Sequence, residues 1–139
     1  AHLVVHLHVF DPRGRLYLQK RARNKDTFPG RWDTSVGGHV MAGASAASAL
    51  LREAREELDV DATAARFLFQ YRYGGDFETE VAHVYSLRWS GPVRPDPGEI
   101  EEGRFFAMDE VKALVGTGAL TPMFEHELPL LLARLEAPR

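Results

Sequence analysis

The N-terminal residues alternate in hydrophobicity with the period of a β-strand. One face of this segment is aliphatic and consists of Leu3, Val5, Leu7 and Val9. The other face is mixed and consists of Val4, His6, His8 and Phe10. A turn sequence, DPRG, follows at 11–14, and residues 15–21 return as a second strand. We therefore expect a hairpin whose histidine-bearing face, which also carries His2, is half exposed.

Residues 21–39 show neither strand nor helix periodicity and are predicted to form a long loop. A loop of this length in a compact domain is usually functional. It ends in Gly37–Gly38 and carries the cations Arg21, Arg23, Lys25 and Arg31. Arg23 and Lys25 are candidates for binding phosphate.

Residues 45–58 have the spacing of an amphipathic helix. Ser45 is the predicted N-cap, and the predicted buried stripe consists of Ala47, Leu51, Ala54 and Leu58. Further strands are predicted at 65–73, 78–89 and 101–108. Helices are predicted at 109–115 and 123–135, the second bent or restarted at Pro129. This order predicts an α/β (α+β) fold, in which helices pack on the faces of a mixed sheet.

The composition narrows the class of protein. The 139 residues are expected to form one domain over 1–139, whose N-terminus is expected to be incomplete because the chain opens inside a predicted strand. A net charge of −3 gives no general attraction for nucleic acid polymers or anionic membranes. No apolar run is long enough to span a bilayer. The absence of cysteine excludes disulfides and thiol nucleophiles and fits a cytoplasmic location.

Three carboxylates stand close together on the predicted helix, at Glu53, Glu56 and Glu57. Their i, i+3, i+4 spacing projects them from one side, away from the predicted apolar stripe. One interpretation is a solvated helix face that Arg52 and Arg55 balance in charge. The other is a Mg²⁺ site, because this cation takes carboxylate oxygens as ligands and relieves their mutual repulsion. Beside a glycine turn and a basic loop, such a site suits phosphate-anhydride chemistry.

Residues 38–60 resemble the Nudix box, whose pattern is G-x5-E-x7-R-E-U-x-E-E-x-G-U, with U a bulky aliphatic residue. The matching positions are Gly38, Arg52, Glu53, Glu56, Glu57 and Val60, with the small Ala54 at a U position. Ala44 stands where the family has its first glutamate, and Asp59 stands where it has a glycine. The resemblance implies a Nudix-type α/β/α sandwich with a mixed β-sheet and a loop-helix-loop motif.

The same resemblance implies roles for individual residues. Glu53, Glu56 and Glu57 would bind Mg²⁺, or Mn²⁺ in its place, and the main-chain carbonyl of Gly37 would be a further ligand. Arg52 would orient the glutamates. Water would be activated by one of these glutamates or by one in a later loop, where the candidates are Glu99, Glu101 and Glu102.

The two departures from the pattern carry different consequences. In the family the first glutamate mostly supports the motif, so Ala44 threatens the alignment of the site more than its metal ligands. Asp59 is a milder change, because Asp tolerates a left-handed, helix-ending conformation better than most residues.

The flanking residues resemble the isopentenyl diphosphate isomerase-like branch of the family. Its K-x-x-x-P-G-x-W segment is matched by Lys25, Pro29, Gly30 and Trp32. Four residues resemble the metal ligands of the isomerase: Glu78 and Glu80, which form an E-x-E strand motif, together with His39 and His2. The isomerase has a cysteine where this chain has Gly37, and that thiol belongs to the acid–base pair that moves the double bond. We therefore expect a hydrolase on this scaffold instead of an isomerase.

The expected function is Mg²⁺-dependent hydrolysis of a phosphate anhydride bond in a nucleoside diphosphate-type substrate, by water attack at phosphorus. One alternative is a catalytically weak module that binds a nucleotide or diphosphate, which Ala44 suggests. Another is an isomerase-like enzyme, which the missing cysteine disfavours. The substrate-binding candidates are Arg23, Lys25, His39 and Glu99. The expected partner is the small-molecule substrate, and the family resemblance adds a homodimer.

Overall fold

The computed structural model describes residues 2–22, 27–74, 79–98 and 100–136. The predictions made for Arg23, Lys25, Glu78 and Glu99 lie outside these residues. The strands are β1 (His2–Phe10), β2 (Leu16–Arg21), β3 (Trp32–Asp33), β4 (Val36–His39), β5 (Arg66–Gly74), β6 (Thr79–Arg88) and β7 (Ile100–Phe106). The helices are α1 (Ala46–Leu58), α2 (Met108–Leu114) and α3 (Pro122–Glu136). Every predicted strand and helix is present, with ends shifted by one or two residues.

Strand β1 is the central strand of a mixed sheet. It runs parallel to β6 along its whole length and antiparallel to β4 at Val4–Leu7. Strand β2 pairs with β1 at Phe10 and then diverges to pair with β3 and β7. Where β1 and β2 separate, the buried Ser35 hydroxyl accepts a hydrogen bond from Val9 N–H (2.9 Å) and donates one to the Tyr17 carbonyl (2.5 Å). Strand β5 pairs with β6 beyond β1.

Helices cover both faces of the sheet, which confirms the predicted α/β/α sandwich. On one face, α1 packs against the aliphatic side of β1 in a core that includes Val5, Leu7, Val9, Leu50, Ala54 and Leu58. On the other face, α2 and α3 contribute to a second core that includes Leu16, Leu18, Phe106, Val111, Phe124, Leu128 and Leu131. In the part of the chain that the structure describes, no helix is long and apolar enough to cross a membrane.

The prediction of one long irregular loop over residues 21–39 is wrong, because this segment contains β3 and β4. Two adjacent glycines give β4 a low intrinsic strand propensity, so no periodic pattern marked it. Its pairing comes from a distant part of the chain, since Gly37 lies opposite His6 and Gly38 opposite Val5. Tertiary pairing with β1 therefore overrides the local preference.

The buried side of α1 also differs from the prediction. Ala54 and Leu58 are buried as expected, but Ala47 is exposed and Leu51 is 40% exposed. Ala49 and Leu50 take their place in the core. Both stripes have helical spacing and share Ala54 and Leu58, so the sequence did not distinguish them. The shift brings Glu53 and Glu57 to the margin of the buried face and contradicts the prediction that they point away from it.

Helix α3 continues through Pro129 without a restart. Its first residue is Pro122, a position where the missing N–H of proline costs no helical hydrogen bond. The helix lies over the histidine-bearing face of β1, because Glu127 on α3 hydrogen-bonds to both His6 and His8.

Substitution of the two adjacent leucines in α1 tests which stripe is buried. Leu50→Ala should reduce the free energy of unfolding by about 2–5 kcal/mol, because it leaves a cavity against the sheet. Leu51→Ala should reduce it by less than about 1 kcal/mol, because Leu51 is largely solvated. Urea unfolding of both variants measures the difference. Equal losses would contradict the observed helix face.

Candidate active site

A cleft with a volume of about 890 Å³ lies where α1, β4 and β1 meet the start of α3. Its described lining is strongly acidic and includes the carboxylates of Asp33, Glu53, Glu56, Glu57, Glu80 and Asp96, against a single arginine, Arg21. That guanidinium already lies 3.6 Å from Asp33. An anionic ligand would therefore be repelled here unless cations entered with it.

Local interactions at both ends of α1 fix the acidic helix in place. The side chain of Ser45 accepts a hydrogen bond from Ser48 N–H at 3.1 Å, as predicted for an N-cap. Asp59 ends the helix in the left-handed conformation with φ 54°, which is the role of the glycine it replaces. The exposed Ala44 only closes the preceding turn, through its N–H to the Met41 carbonyl.

Gly38 lets α1 approach β4 closely. A β-carbon at this position would lie 2.4 Å from Cδ of Glu53, a distance that real structures do not tolerate. The Glu53 carboxyl therefore occupies the space of the missing side chain. At Gly37, by comparison, an added β-carbon would meet nothing closer than 3.6 Å.

Glu57 lies deeper in the same corner and is held from several sides. The side-chain amide of Gln19 donates to Glu57 at 2.8 Å and to the Ser35 carbonyl at 3.0 Å. Burial, together with a hydrogen bond and charge repulsion from Glu53, raises the pKa of Glu57 to about 9. Hydrogen bonds from Gln19 and the Gly37 backbone act in the opposite direction but do not prevail. The raised pKa of Glu57 favours its protonated form, in a place where a cation would be favoured too.

Arg52 contacts two of the three glutamates. Its guanidinium donates to Glu53 at 2.9 Å and lies 3.6 Å from the carboxylate of Glu56, which is 59% exposed. This geometry allows Arg52 to orient Glu53 and Glu56 on the solvent side of the three carboxylates. All three glutamates line the cleft, together with Gly37, Gly38 and His39.

The loop between β6 and β7 contributes a carboxylate, Asp96, that was not predicted from the sequence. Asp96 lines the cleft because its N–H donates to the Glu57 carbonyl at 2.9 Å, and Arg94 N–H binds the Leu58 carbonyl in the same way. Glu101 instead pairs with Lys20 at 4.0 Å, and Glu102 is exposed. Neither of those two lines the cleft. The only sequence signal for Asp96 was its position in a Pro/Gly-rich loop that follows a strand.

A second group of side chains consists of His39 and Glu80, which line the cleft, and of His2 beside them. The rings of His2 and His39 meet edge to face with centroids 6.2 Å apart, and Glu80 lies opposite His2 in the β1–β6 pairing. These are the residues that resemble the isomerase ligands. Within the described ranges, no three His, Asp or Glu side chains are already grouped tightly enough to hold a metal ion. Binding at either group would require rotamer changes.

The expected half-exposure of the histidine-bearing face of β1 is correct for part of it only, because Val4 and His8 are buried, His6 and Phe10 are partly buried, and His2 is exposed. Glu127 of α3 is fully buried between the two histidines, accepting from Nδ1 of His6 at 2.5 Å and from Nε2 of His8. The hydroxyl of Tyr71 donates to the same carboxylate at 2.6 Å. A buried carboxylate with three donors is the arrangement that makes such a charge tolerable. Local sequence could not reveal this network, because Glu127 lies more than a hundred residues away from β1.

Charge interactions stabilise the ionised form of this network. Burial by itself would raise the pKa of Glu127, but the charge of His6 and hydrogen bonds from both histidines hold it well below its ordinary value. Burial would likewise lower the pKa of His6, but the Glu127 carboxylate raises it above 6.5. Burial and the same carboxylate also raise the pKa of Tyr71, so its hydroxyl stays a donor.

Comparisons with known proteins show which family the chain is similar to. Residues 1–126 match the NUDIX domain family. An isopentenyl-diphosphate Delta-isomerase of Mycolicibacterium vanbaalenii is 35% identical over 137 residues, covering 94% of this chain and 76% of the isomerase. An uncharacterized Nudix hydrolase of Listeria monocytogenes is 32% identical over 130 residues, covering 88% of this chain and 73% of that protein. These likenesses confirm the resemblance drawn from the sequence.

A solved structure shows the same fold. A crystal structure of a Deinococcus radiodurans protein superposes with a TM-score of 0.80 at 29% sequence identity, covering 98% of this chain and 83% of that chain. The likeness extends over nearly all of the described elements, including those that surround the cleft.

The pH dependence of stability tests the buried network. Because the pKa of Glu127 is lowered, its contribution is present above pH 4.5 and is lost as the pH falls through the lowered value. Because the pKa of His6 is raised, its contribution is present below pH 6.5 and is lost as the pH rises through the raised value. Glu127→Gln should therefore reduce the free energy of unfolding by about 3 kcal/mol between pH 4.5 and 6.5.

The difference in the free energy of unfolding between the wild type and Glu127→Gln should become smaller towards alkaline pH. Denaturant unfolding of both proteins in the presence of a chelator, across this pH range, measures the effect. A difference that is independent of pH would show that the network is not ionised.

Proposed function

The chain belongs to the Nudix family, and we propose that it is a Mg²⁺-dependent hydrolase of a phosphate anhydride bond in a nucleoside diphosphate-type substrate. The observation that carries this proposal is the placement of Glu53, Glu56 and Glu57 in the acidic cleft, beside Gly37 and Gly38 of β4. The likeness to a Nudix hydrolase and the intact carboxylate helix support a pyrophosphohydrolase.

The donor set suits a hard divalent cation. Glu53, Glu56 and Glu57 offer carboxylate oxygens and Gly37 offers a main-chain carbonyl, which are the ligand types that Mg²⁺ and Mn²⁺ take. The raised pKa of Glu57 beside Glu53 marks a site where a positive charge between the two side chains would be favourable. A bound cation supplies neutralisation of phosphate charge and activation of water.

The protein's own residues position and deprotonate the water. Attack of water oxygen on phosphorus forms one P–O bond and breaks the anhydride P–O bond, and the water proton passes to a carboxylate. Glu53, Glu57 and Asp96 are the candidate acceptors, because all three line the cleft on the side of α1. Arg52 keeps Glu53 and Glu56 oriented while the charge on the phosphate changes.

Aromatic side chains at the same cleft support a nucleoside substrate. Phe28 lines the cleft, is 45% exposed and has a positive φ of 50°, a strained conformation for a bulky residue. Tyr73 lines it as well. Either ring offers a face on which a base could stack.

Two alternatives rest on particular observations. A binding module without turnover is suggested by Ala44, which leaves the carboxylate helix without the family's first glutamate. An isomerase acting on a prenyl diphosphate is suggested by the positions of His2, His39 and Glu80. Gly37 stands in place of the isomerase cysteine, and the sequence contains no cysteine at any position. Hydrolysis therefore remains the proposed reaction.

Turnover assays separate these functions. Wild-type protein with Mg²⁺ or Mn²⁺ should release phosphate products from at least one member of a panel of nucleoside diphosphates and triphosphates, sugar nucleotides and dinucleoside polyphosphates. Glu57→Gln should lower kcat by at least about 10²-fold, because it removes a ligand and a candidate base. Ala44→Glu should raise kcat by restoring the missing support. Glu102→Gln, at an exposed glutamate outside the cleft, is the matched control.

Tight binding without turnover across the whole panel would favour the binding module. Double-bond migration in a prenyl diphosphate, followed by NMR, would favour the isomerase. Equal loss of activity in Glu57→Gln and Glu102→Gln would remove the basis for placing the reaction at α1.

A glycine pair tests the metal site independently of the substrate. Gly38→Ala places a methyl group against Glu53 and should weaken Mn²⁺ binding by roughly 10–100-fold, the loss typical of a disturbed ligand arrangement. Gly37→Ala adds the same methyl group where nothing lies closer than 3.6 Å, and it should weaken binding much less. Electron paramagnetic resonance titration with Mn²⁺ measures both affinities. Equal losses would mean that the Gly38–Glu53 contact does not shape the metal site.

A further inference from the structure

His6 stands between the buried carboxylate network and the cleft. Its side chain is 12% exposed and lines the cleft, whereas Glu127 behind it is fully buried. His6 on β1 lies directly opposite Gly37 on β4, the proposed carbonyl ligand. The ring is therefore a neighbour of the site where the phosphates would bind.

The orientation of the ring follows from its two contacts. Nδ1 is directed to Glu127, at 2.5 Å from Oε1. The opposite edge faces β4, because Cδ2 lies 3.6 Å from the point where a β-carbon of Gly37 would stand. Nε2 is bonded to Cδ2 and belongs to this edge. Glu127 thus holds the ring with Nε2 on the side of the cleft.

No described residue hydrogen-bonds to Nε2 of His6. Among the described residues, the buried side-chain polar atom that lacks a partner is the Tyr17 hydroxyl, so Nε2 is not sealed inside the protein. A polar ring atom that reaches an acidic cleft without a protein partner is available to a ligand.

His8 provides an internal comparison. It bonds to the other oxygen of the same carboxylate, but it is fully buried and does not line the cleft. Its second ring nitrogen is occupied as well, since Nδ1 lies 3.3 Å from the Thr34 hydroxyl. Both ring nitrogens of His8 therefore have hydrogen-bond partners within the protein. For His6, only Nδ1 has such a partner among the described residues.

We propose that His6 is a substrate-binding residue whose Nε2–H donates a hydrogen bond to a phosphate oxygen of the substrate, and that Glu127 is the residue that positions it. The inference rests on the proposed function and adds to it a direct phosphate contact from β1. Geometry supports this assignment, because Glu127 engages Nδ1 and leaves Nε2 as the ring nitrogen available to a ligand in the cleft that His6 lines.

The cost of the network is a further reason to assign it a function. A buried ionic group adds little net stability, and hydrophobic residues of similar volume often replace one without loss. The described lining of the cleft otherwise offers Arg21 as its arginine, and Arg21 is already engaged by Asp33 and Thr27. A donor held on the rigid central strand would supply what the acidic cleft lacks for a diphosphate.

The matched substitutions His6→Gln and His8→Gln test the proposal. Both remove one hydrogen bond to Glu127 and should lower stability, but only the first removes the donor at the cleft. His6→Gln should weaken binding of inorganic pyrophosphate with Mg²⁺ by roughly 10–100-fold, as expected for a lost hydrogen bond to a charged group. It should also raise KM more than it lowers kcat. His8→Gln should keep KM and pyrophosphate affinity within about twofold of wild type.

A second measurement does not require the variants to fold. Titration of ¹⁵N-histidine-labelled wild-type protein with pyrophosphate and Mg²⁺ should shift the Nε2 resonance of His6 and leave that of His8 in place. Equal shifts for both rings, or equal effects of both variants, would overturn the role of His6 while leaving the proposed hydrolase intact. A wild-type protein that neither binds pyrophosphate nor hydrolyses any member of the substrate panel would overturn the proposed function and, with it, the role of His6.

Discussion

The close approach of Glu53 to Gly38 is the contact on which the arrangement of the cleft depends. It determines where the Glu53 carboxyl lies against β4, because any side chain at Gly38 would occupy the space of the carboxyl group. In the same corner, Glu57 reaches Gln19 on β2 and the Gly37 backbone, and the loop carrying Asp96 binds the C-terminal end of the helix. Elements from both sides of the sheet's central strand are thereby brought around one acidic cavity.

Two buried carboxylates, one near each face of β1, show how neighbours decide the charge of a group. Glu57 is largely removed from solvent and lies against another carboxyl group, and its pKa is raised so that the protonated form is favoured. Glu127 lies between two imidazoles and a phenol, and its pKa is lowered so that it stays ionised. A glutamate side chain is therefore protonated at α1, whereas at α3 it is an ionised acceptor of hydrogen bonds. His6 links the two regions, since it binds Glu127 and lies opposite Gly37.

Much of the helix and its chemistry could be read from local spacing. The glutamates, Arg52 and the Ser45 cap were predicted from positions a few residues apart, where helical geometry relates residues directly. The buried stripe was placed wrongly because Ala47 and Leu51 fit the helical period as well as Ala49 and Leu50 do. Strands β3 and β4 were missed because their pairing partners lie far away in the sequence. Asp96 was missed because backbone contacts with α1, and no pattern of its own, bring it to the cleft.

The sequence by itself determined the order of all elements except β3 and β4, the family and the carboxylate helix. These depend on short-range periodicity and on a motif confined to residues 38–60. Only the tertiary structure decided which helix face is buried, that Glu127 lies between His6 and His8, and that one of these two histidines reaches the cleft. The physical reason is that burial and charge pairing depend on which surfaces meet. In this protein, α3 must fold back over β1 before a carboxylate late in the chain can orient a histidine near its beginning.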